Sequence, residues 1–144
     1  MTAAISNHSN DVLDEPRPAP LPLSQGVLTE AQQVTDEILS KLTVRIDRDG
    51  LYPAEVLARL GEAGVFRQHL ASQNQSGKVD LVTAAQAMAI ISRECLSTGF
   101  MTWCQDVLGW YIENSENTYL KQHVLPQVAA GTNLGGTALS NPMK

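Results

Sequence analysis

Charge is scarce in this sequence, and so are cysteine, histidine and aromatic residues. Charged residues make up 17% and aromatics 5%. Ten Lys and Arg stand against fifteen Asp and Glu, giving a net charge of −5. An acidic chain repels phosphate backbones, which argues against nucleic acid as a partner. No apolar run approaches the ~18 residues that a membrane-spanning helix needs; the candidate Ala87-Met88-Ala89-Ile90-Ile91 is far shorter. Met1 to Asn10 contain no Lys or Arg and no apolar block, so they do not read as a secretory signal. The two cysteines, Cys95 and Cys104, fall in apolar helical stretches. They make neither a disulfide framework nor a paired metal-ligand motif, and a reduced, cytoplasmic protein is the natural expectation. There is no Walker-type loop, GxGxxG, HExxH or CxxC. His8, His69 and His123 share no ligand spacing and read as surface or packing residues, so no metal site is expected.

What remains is a globular composition, with 43% apolar residues in 144, a length suited to one domain. Residues 1–26 read as a flexible, Pro-rich tail. Four prolines between positions 16 and 22 deny the backbone its donors and keep it extended. From Val27 the period turns helical: Ala31, Val34, Ile38, Leu42 and Ile46 form one stripe, with Thr29 able to cap its start. Asp49-Gly50 ends it. Pro53 then suits a first helical turn, Val56, Leu57, Leu60 and Ala63 share a side, and Gly64 suits a left-handed stop.

Residues 65–79 hold no clear period. Asp80 is placed to cap a third helix running from Leu81 to about Cys95, whose apolar groups surround the axis as in a buried helix. Ser97-Thr98-Gly99 reads as a break before a fourth helix over about Phe100 to Ile112. Ser115 reads as the cap of a fifth, which Pro126 kinks or ends and Gly131 closes. Gly135-Gly136 opens an extended stretch, Thr137 to Ser140, stopped by Asn141-Pro142. The expected fold is all-α, a bundle of about five helices with the start of a β-strand at the C-terminus. A lone strand cannot satisfy its hydrogen bonds, so the chain reads as part of a longer protein.

Little chemistry is visible directly. Phe100, Trp103, Trp110 and Tyr111 are most simply bundle core. A slot between the third and fourth helices, kept open by Ala84, Ala85, Ala87, Ala89 and Gly99, would also suit an acyl chain. Cys104 reads as a small buried hydrophobe. Glu94 and Asp106, the acids between Asp80 and Glu113, read as paired or at a rim.

Four ordered blocks resemble a known family. Leu51-Tyr52-Pro53-Ala54-Glu55-Val56-Leu57-Ala58-Arg59-Leu60-Gly61-Glu62-Ala63-Gly64-Val65 is similar to the P-x-x-h-x-x-h-x-x-x-G-h block (h, apolar) near the start of acyl-CoA dehydrogenases. The apolar helix Val82 to Cys95 resembles the family's helix that ends in an Arg/Glu-containing turn. Asn117 to Gly131 resembles the family's Q-K-x-x-x-L-P-x-h-x-x-G block, and Gly136-Thr137-Ala138-Leu139-Ser140-Asn141-Pro142 its G-x-A-h-T-E-P. The match runs from about residue 28 to the end.

The resemblance implies an N-terminal helical domain over 27–131 and the start of a middle β-domain over 132–144. It implies an FAD-dependent oxidoreductase that desaturates an acyl thioester, a carboxylate taking the α-proton while the β-hydride moves to the flavin. Thr137, Ala138, Leu139, Ser140, Asn141 and Pro142 would lie along the FAD, with the Ser140 hydroxyl able to bond the flavin ring. Phe100, Thr102 and Gln105 would line the substrate cavity. The catalytic carboxylate usually lies in a C-terminal domain, so no catalytic residue is assigned and the 144 residues alone are expected to be inactive. An acyl-CoA-like substrate and a homo-oligomer follow in the same way. Asn141 stands where the family has Glu, and flavin-dependent monooxygenases share the architecture, so that activity is an alternative. A non-enzymatic helical interaction module is another, and it would bury both Trp side chains in its own core.

Overall fold

The computed structural model describes residues 23–136, which form six α-helices: α1 (Leu23–Glu37), α2 (Thr43–Asp49), α3 (Ala54–Glu62), α4 (Leu81–Glu94), α5 (Leu96–Asn114) and α6 (Leu125–Ala129). Short 3-10 turns at Leu39–Lys41 and Val65–Arg67 and a π turn at Leu120–Val124 connect them. The prolines of 16–22 and the segment Thr137–Pro142 lie outside the described residues. No strand occurs among the described residues, which carry the extended segment only as far as Gly136.

The stripe from Ala31 to Ile46 is inward-facing throughout, but it is not one helix. Ile38 leaves ideal helical geometry at φ −115°, and the Ser40 hydroxyl bonds the Asp36 carbonyl at 2.6 Å. Such back-bonding competes with the backbone ladder, and a 3-10 turn separates α1 from α2. Leu23–Gly26, expected in the tail, belong to the first turns of α1; Thr29 sits inside that helix, bonding the Gln25 carbonyl, and caps nothing. α3 follows its pattern closely. Pro53 precedes it, Val56, Leu57 and Leu60 are buried, and Gly64 takes φ +86°.

Asp80 caps α4 as expected, accepting from the Thr83 amide at 2.9 Å and the Thr83 hydroxyl at 2.8 Å. These bonds hold its carboxyl below the usual range, and such caps are worth about 1 kcal/mol. The break between α4 and α5 falls at Cys95, which is extended at φ −147°, rather than at Ser97–Gly99. Gly99 lies within the first turns of α5, where a Cβ would meet the Ser92 side chain of α4, so glycine permits the close approach of the two helices. Ser115 closes α5 by bonding the Ile112 carbonyl; the next turn is capped by Asn117, whose Oδ1 accepts from the Leu120 amide. Pro126 cannot donate to a helical ladder. Just before it the Leu125 amide reaches back five residues to the Leu120 carbonyl, which is the π turn.

Two cores result. The larger gathers Ala31, Val34, Leu39, Ile46, Val56, Leu57, Leu60, Val65, Phe66, Ala87 and Ile91 from α1 to α4; the smaller gathers Leu70, Ile112, Leu125, Val128 and Ala129 around α5 and α6. Phe66 is fully buried, a burial worth about 1.5–3 kcal/mol.

Candidate functional site

α5 is turned inside out relative to its composition. Thr98, Thr102, Gln105, Asp106, Gly109 and Ile112, a stripe at three- and four-residue steps, are buried. Phe100, Trp103, Trp110 and Tyr111 point outward, 61%, 37%, 51% and 43% exposed. The reading of these aromatics as bundle core is therefore overturned, and with it the requirement of a self-contained interaction module that both Trp be buried. The signal was present in the sequence, since Thr, Gln, Asp and Gly recur at helical spacing. Apolar counting assigned the wrong face.

Two of these aromatics, Trp103 and Trp110, help to form an apolar groove of about 660 Å³ between α4 and α5, within the range of small-molecule sites. α4 contributes Leu81, Ala84, Ala85, Met88, Ala89 and Ser92, one helical face; α5 contributes Trp103, Asp106, Val107 and Trp110. Ala84, Ala85 and Ala89 leave room where larger side chains would close it. α4 is thus half-covered rather than buried all round, with Leu81 and Val82 exposed. A second groove, about 680 Å³ between α1 and α4, is lined by Gln25, Gln32, Gln33, Asp36, Glu37 and Arg93 among others and has a polar character.

Two titratable groups reach the apolar groove. His69 follows the turn Val65–Arg67, and Asp106 faces it from α5; they are 6% and 7% exposed. The His69 Nε2 lies 2.7 Å from the Asp106 backbone carbonyl. A carbonyl only accepts, so Nε2 carries a proton, and in the uncharged ring Nδ1 is then bare. Nδ1 lies 3.5 Å from Asp106 Oδ1, and neither atom has another partner. Burial lowers the His69 pKa, against opposing contributions from its bond to Asp106 and from the Glu113 charge. Burial pushes the Asp106 carboxyl up to about 8. Both shifts favour the uncharged forms, so at neutral pH this is a neutral pair rather than an ion pair. Gly109 lies beside the pair: a Cβ there would press on Leu70 Cδ1 at 3.1 Å and stand in ordinary contact, 3.5 Å, with His69 Nε2. Asp106 was expected to be paired or at a rim; it is buried without an ionic partner.

Of the three expected substrate-lining residues, Phe100 is at the surface, stacked on Trp103 with ring centroids 5.4 Å apart. Thr102 is fully buried and bonds the Thr98 carbonyl at 3.0 Å. Gln105 is a clamp. Its amide donates to the Val128 and Asn133 carbonyls at 3.0 and 2.9 Å, and its oxygen accepts from the Gly135 amide at 2.9 Å. Neither Thr102 nor Gln105 lines the groove. Thr137, Ala138, Leu139, Ser140, Asn141 and Pro142 lie outside the described residues, but Gln105 fixes the backbone just ahead of them. Burial raises the Cys104 thiol pKa, so the thiol stays protonated. No cluster of three metal-ligating side chains occurs among the described residues.

Residues 24–132 match the family model described as acyl-CoA dehydrogenase, N-terminal domain. The chain belongs to the acyl-CoA dehydrogenase family. No curated protein matches the chain. Within this acyl-CoA dehydrogenase domain the groove carries no Lys or Arg, so it suits an alkyl chain and not the diphosphate of FAD. No helix among the described residues is long and apolar enough to cross a membrane.

Proposed function

We propose that this chain is the N-terminal helical part of a cytoplasmic, FAD-dependent oxidoreductase that desaturates an acyl thioester at its α,β carbons. The observation that carries this reading is the exposed apolar groove between α4 and α5, in a domain of the acyl-CoA dehydrogenase family. In this reading the groove receives the apolar chain of an acyl-CoA-like substrate. Phe100 extends its wall through Trp103, while Thr102 and Gln105 support it from within the bundle. Thr137 to Pro142 supply the FAD contacts, with Ser140 bonding the flavin ring, and residues 132–144 begin a middle β-domain. FAD supplies the electron-accepting chemistry; the described residues supply chain binding and positioning. Burial holds the Asp106 carboxyl up to about 8, which favours its uncharged form in the groove and agrees with the α-proton being taken by a group elsewhere. The remaining exposed apolar surface suits the other domains and a homo-oligomer.

The test is purification of the native gene product. It should be yellow, and an acyl-CoA should bleach the flavin band under anaerobic conditions. A colourless product that takes up no FAD on reconstitution overturns the reading. Flavin oxidation by oxygen with incorporation of an oxygen atom into substrate would favour the monooxygenase.

A further inference from the structure

The His69–Asp106 pair leaves one of its oxygens with a task the bundle does not supply. Asp106 Oδ1 and His69 Nδ1 are shut away from water, 3.5 Å apart, with no other partner. A proton shared between Nδ1 and Oδ1 lets the two atoms satisfy each other, as an imidazolium donating to the carboxylate or, with both groups uncharged, as a protonated Oδ1 donating to the bare Nδ1. Burial of both groups favours these uncharged forms. The second carboxyl oxygen, Oδ2, is then a carbonyl-type acceptor. It is not among the enclosed orphan atoms, and the hydrogen bond between Asp106 and His69 uses the backbone carbonyl rather than this oxygen. Asp106 is itself part of the groove wall. An acceptor in an apolar surface rewards a neutral donor and penalises an anion.

We propose that the α4–α5 groove takes an apolar molecule bearing one hydroxyl, which donates to the carboxyl of Asp106 while His69 holds that carboxyl in place. This rests on the reading of the groove as the site of an apolar chain and adds a polar point of recognition within it. Unsubstituted alkyl chains would leave the Asp106 oxygen unpaired, and carboxylates would face an acceptor.

Trp103 and Trp110 both line the groove, so the intrinsic fluorescence of the 144-residue chain reports occupancy. Octan-1-ol is titrated against 1-methoxyoctane, which keeps the oxygen and loses the donor. The alcohol should shift the emission with about tenfold tighter binding than the ether, the size of one hydrogen bond made to an otherwise unpaired group. In Asp106→Leu, checked for helicity by circular dichroism, the preference should fall to about one. Equal binding of alcohol and ether to the unmutated chain overturns the hydroxyl assignment but leaves an apolar-chain groove. A preference that survives Asp106→Leu removes Asp106 from the recognition. If neither probe perturbs the tryptophans, the groove is not a chain site, and the proposed substrate contact falls with it. The unmutated comparison decides the matter even if Asp106→Leu fails to fold.

Discussion

Asp106 titrates in a direction that folding makes measurable. Its carboxyl is held up to about 8 in the fold, against 3.8 for the ordinary group. Its contribution to stability is therefore complete below about 3.8 and is lost as pH rises through about 8. His69 runs the other way. With its pKa lowered from 6.5, its contribution is complete above that value and fades as pH falls below it. The two slopes oppose each other in mild acid, and Asp106 acts alone between about pH 7 and 8. Urea unfolding across that window should show stability falling by up to about 1 kcal/mol per pH unit, and Asp106→Asn should flatten the profile. A flat profile in the unmutated chain would contradict the neutral pair. Gln105 offers a second test. Gln105→Leu removes three hydrogen bonds, taking the partner from the Gly135 amide and leaving the Val128 carbonyl to backbone amides such as that of Gly131, so it should cost about 2–3 kcal/mol. The Gly135 amide should lose its protection from hydrogen exchange. Neither residue's role was legible in the sequence. A single Asp and a single Gln in an apolar helix carry no directional mark until the inward stripe from Thr98 to Ile112 is recognised.

Elements were read more reliably than their ends or their orientation. α3 and α4 carry their signals locally, in Pro53, Gly64 and the Asp80 cap, and they fold as those signals say. The junctions at Ile38–Leu42 and at Cys95 have no Gly or Pro. They coincide with a Ser40 back-bond and with the close approach of α5 to α4 at Gly99, neither of which periodicity reports. Gly61 illustrates a packing constraint that sequence hides in the same way. A Cβ on it would lie 2.5 Å from the Ala130 carbonyl oxygen and 2.5 Å from Gly131 Cα, which is backbone and cannot rotate away. Gly61→Ala should cost about 2–3 kcal/mol or more, read as a lowered urea midpoint. Retention of full stability would mean that α3 and the end of α6 do not touch.

At the scale of the whole chain, the exposed set Leu81, Val82, Leu96, Phe100, Trp103, Trp110 and Tyr111 lies on α4 and α5. Exposed apolar surface of this kind, which includes the adjoining rings of Phe100 and Trp103 and of Trp110 and Tyr111, favours association. Sedimentation of the isolated chain should show association that rises with concentration, and Trp110→Ser should weaken it. Because Trp110 is half-exposed, that change should cost less than about 1 kcal/mol of fold stability. Undiminished association in the variant would place the contact surface elsewhere.

The backbone contact between Gly61 and Gly131 and the Gln105 clamp at residues 133 and 135 are successive fastenings on one short stretch. Together they remove both the swivel and the slack from the polypeptide as it leaves the last helix. The backbone from Gly131 to Gly135 thus keeps a heading dictated by α3 and α5, so a disturbance deep in either helix would be felt there as a redirection rather than as a loosening.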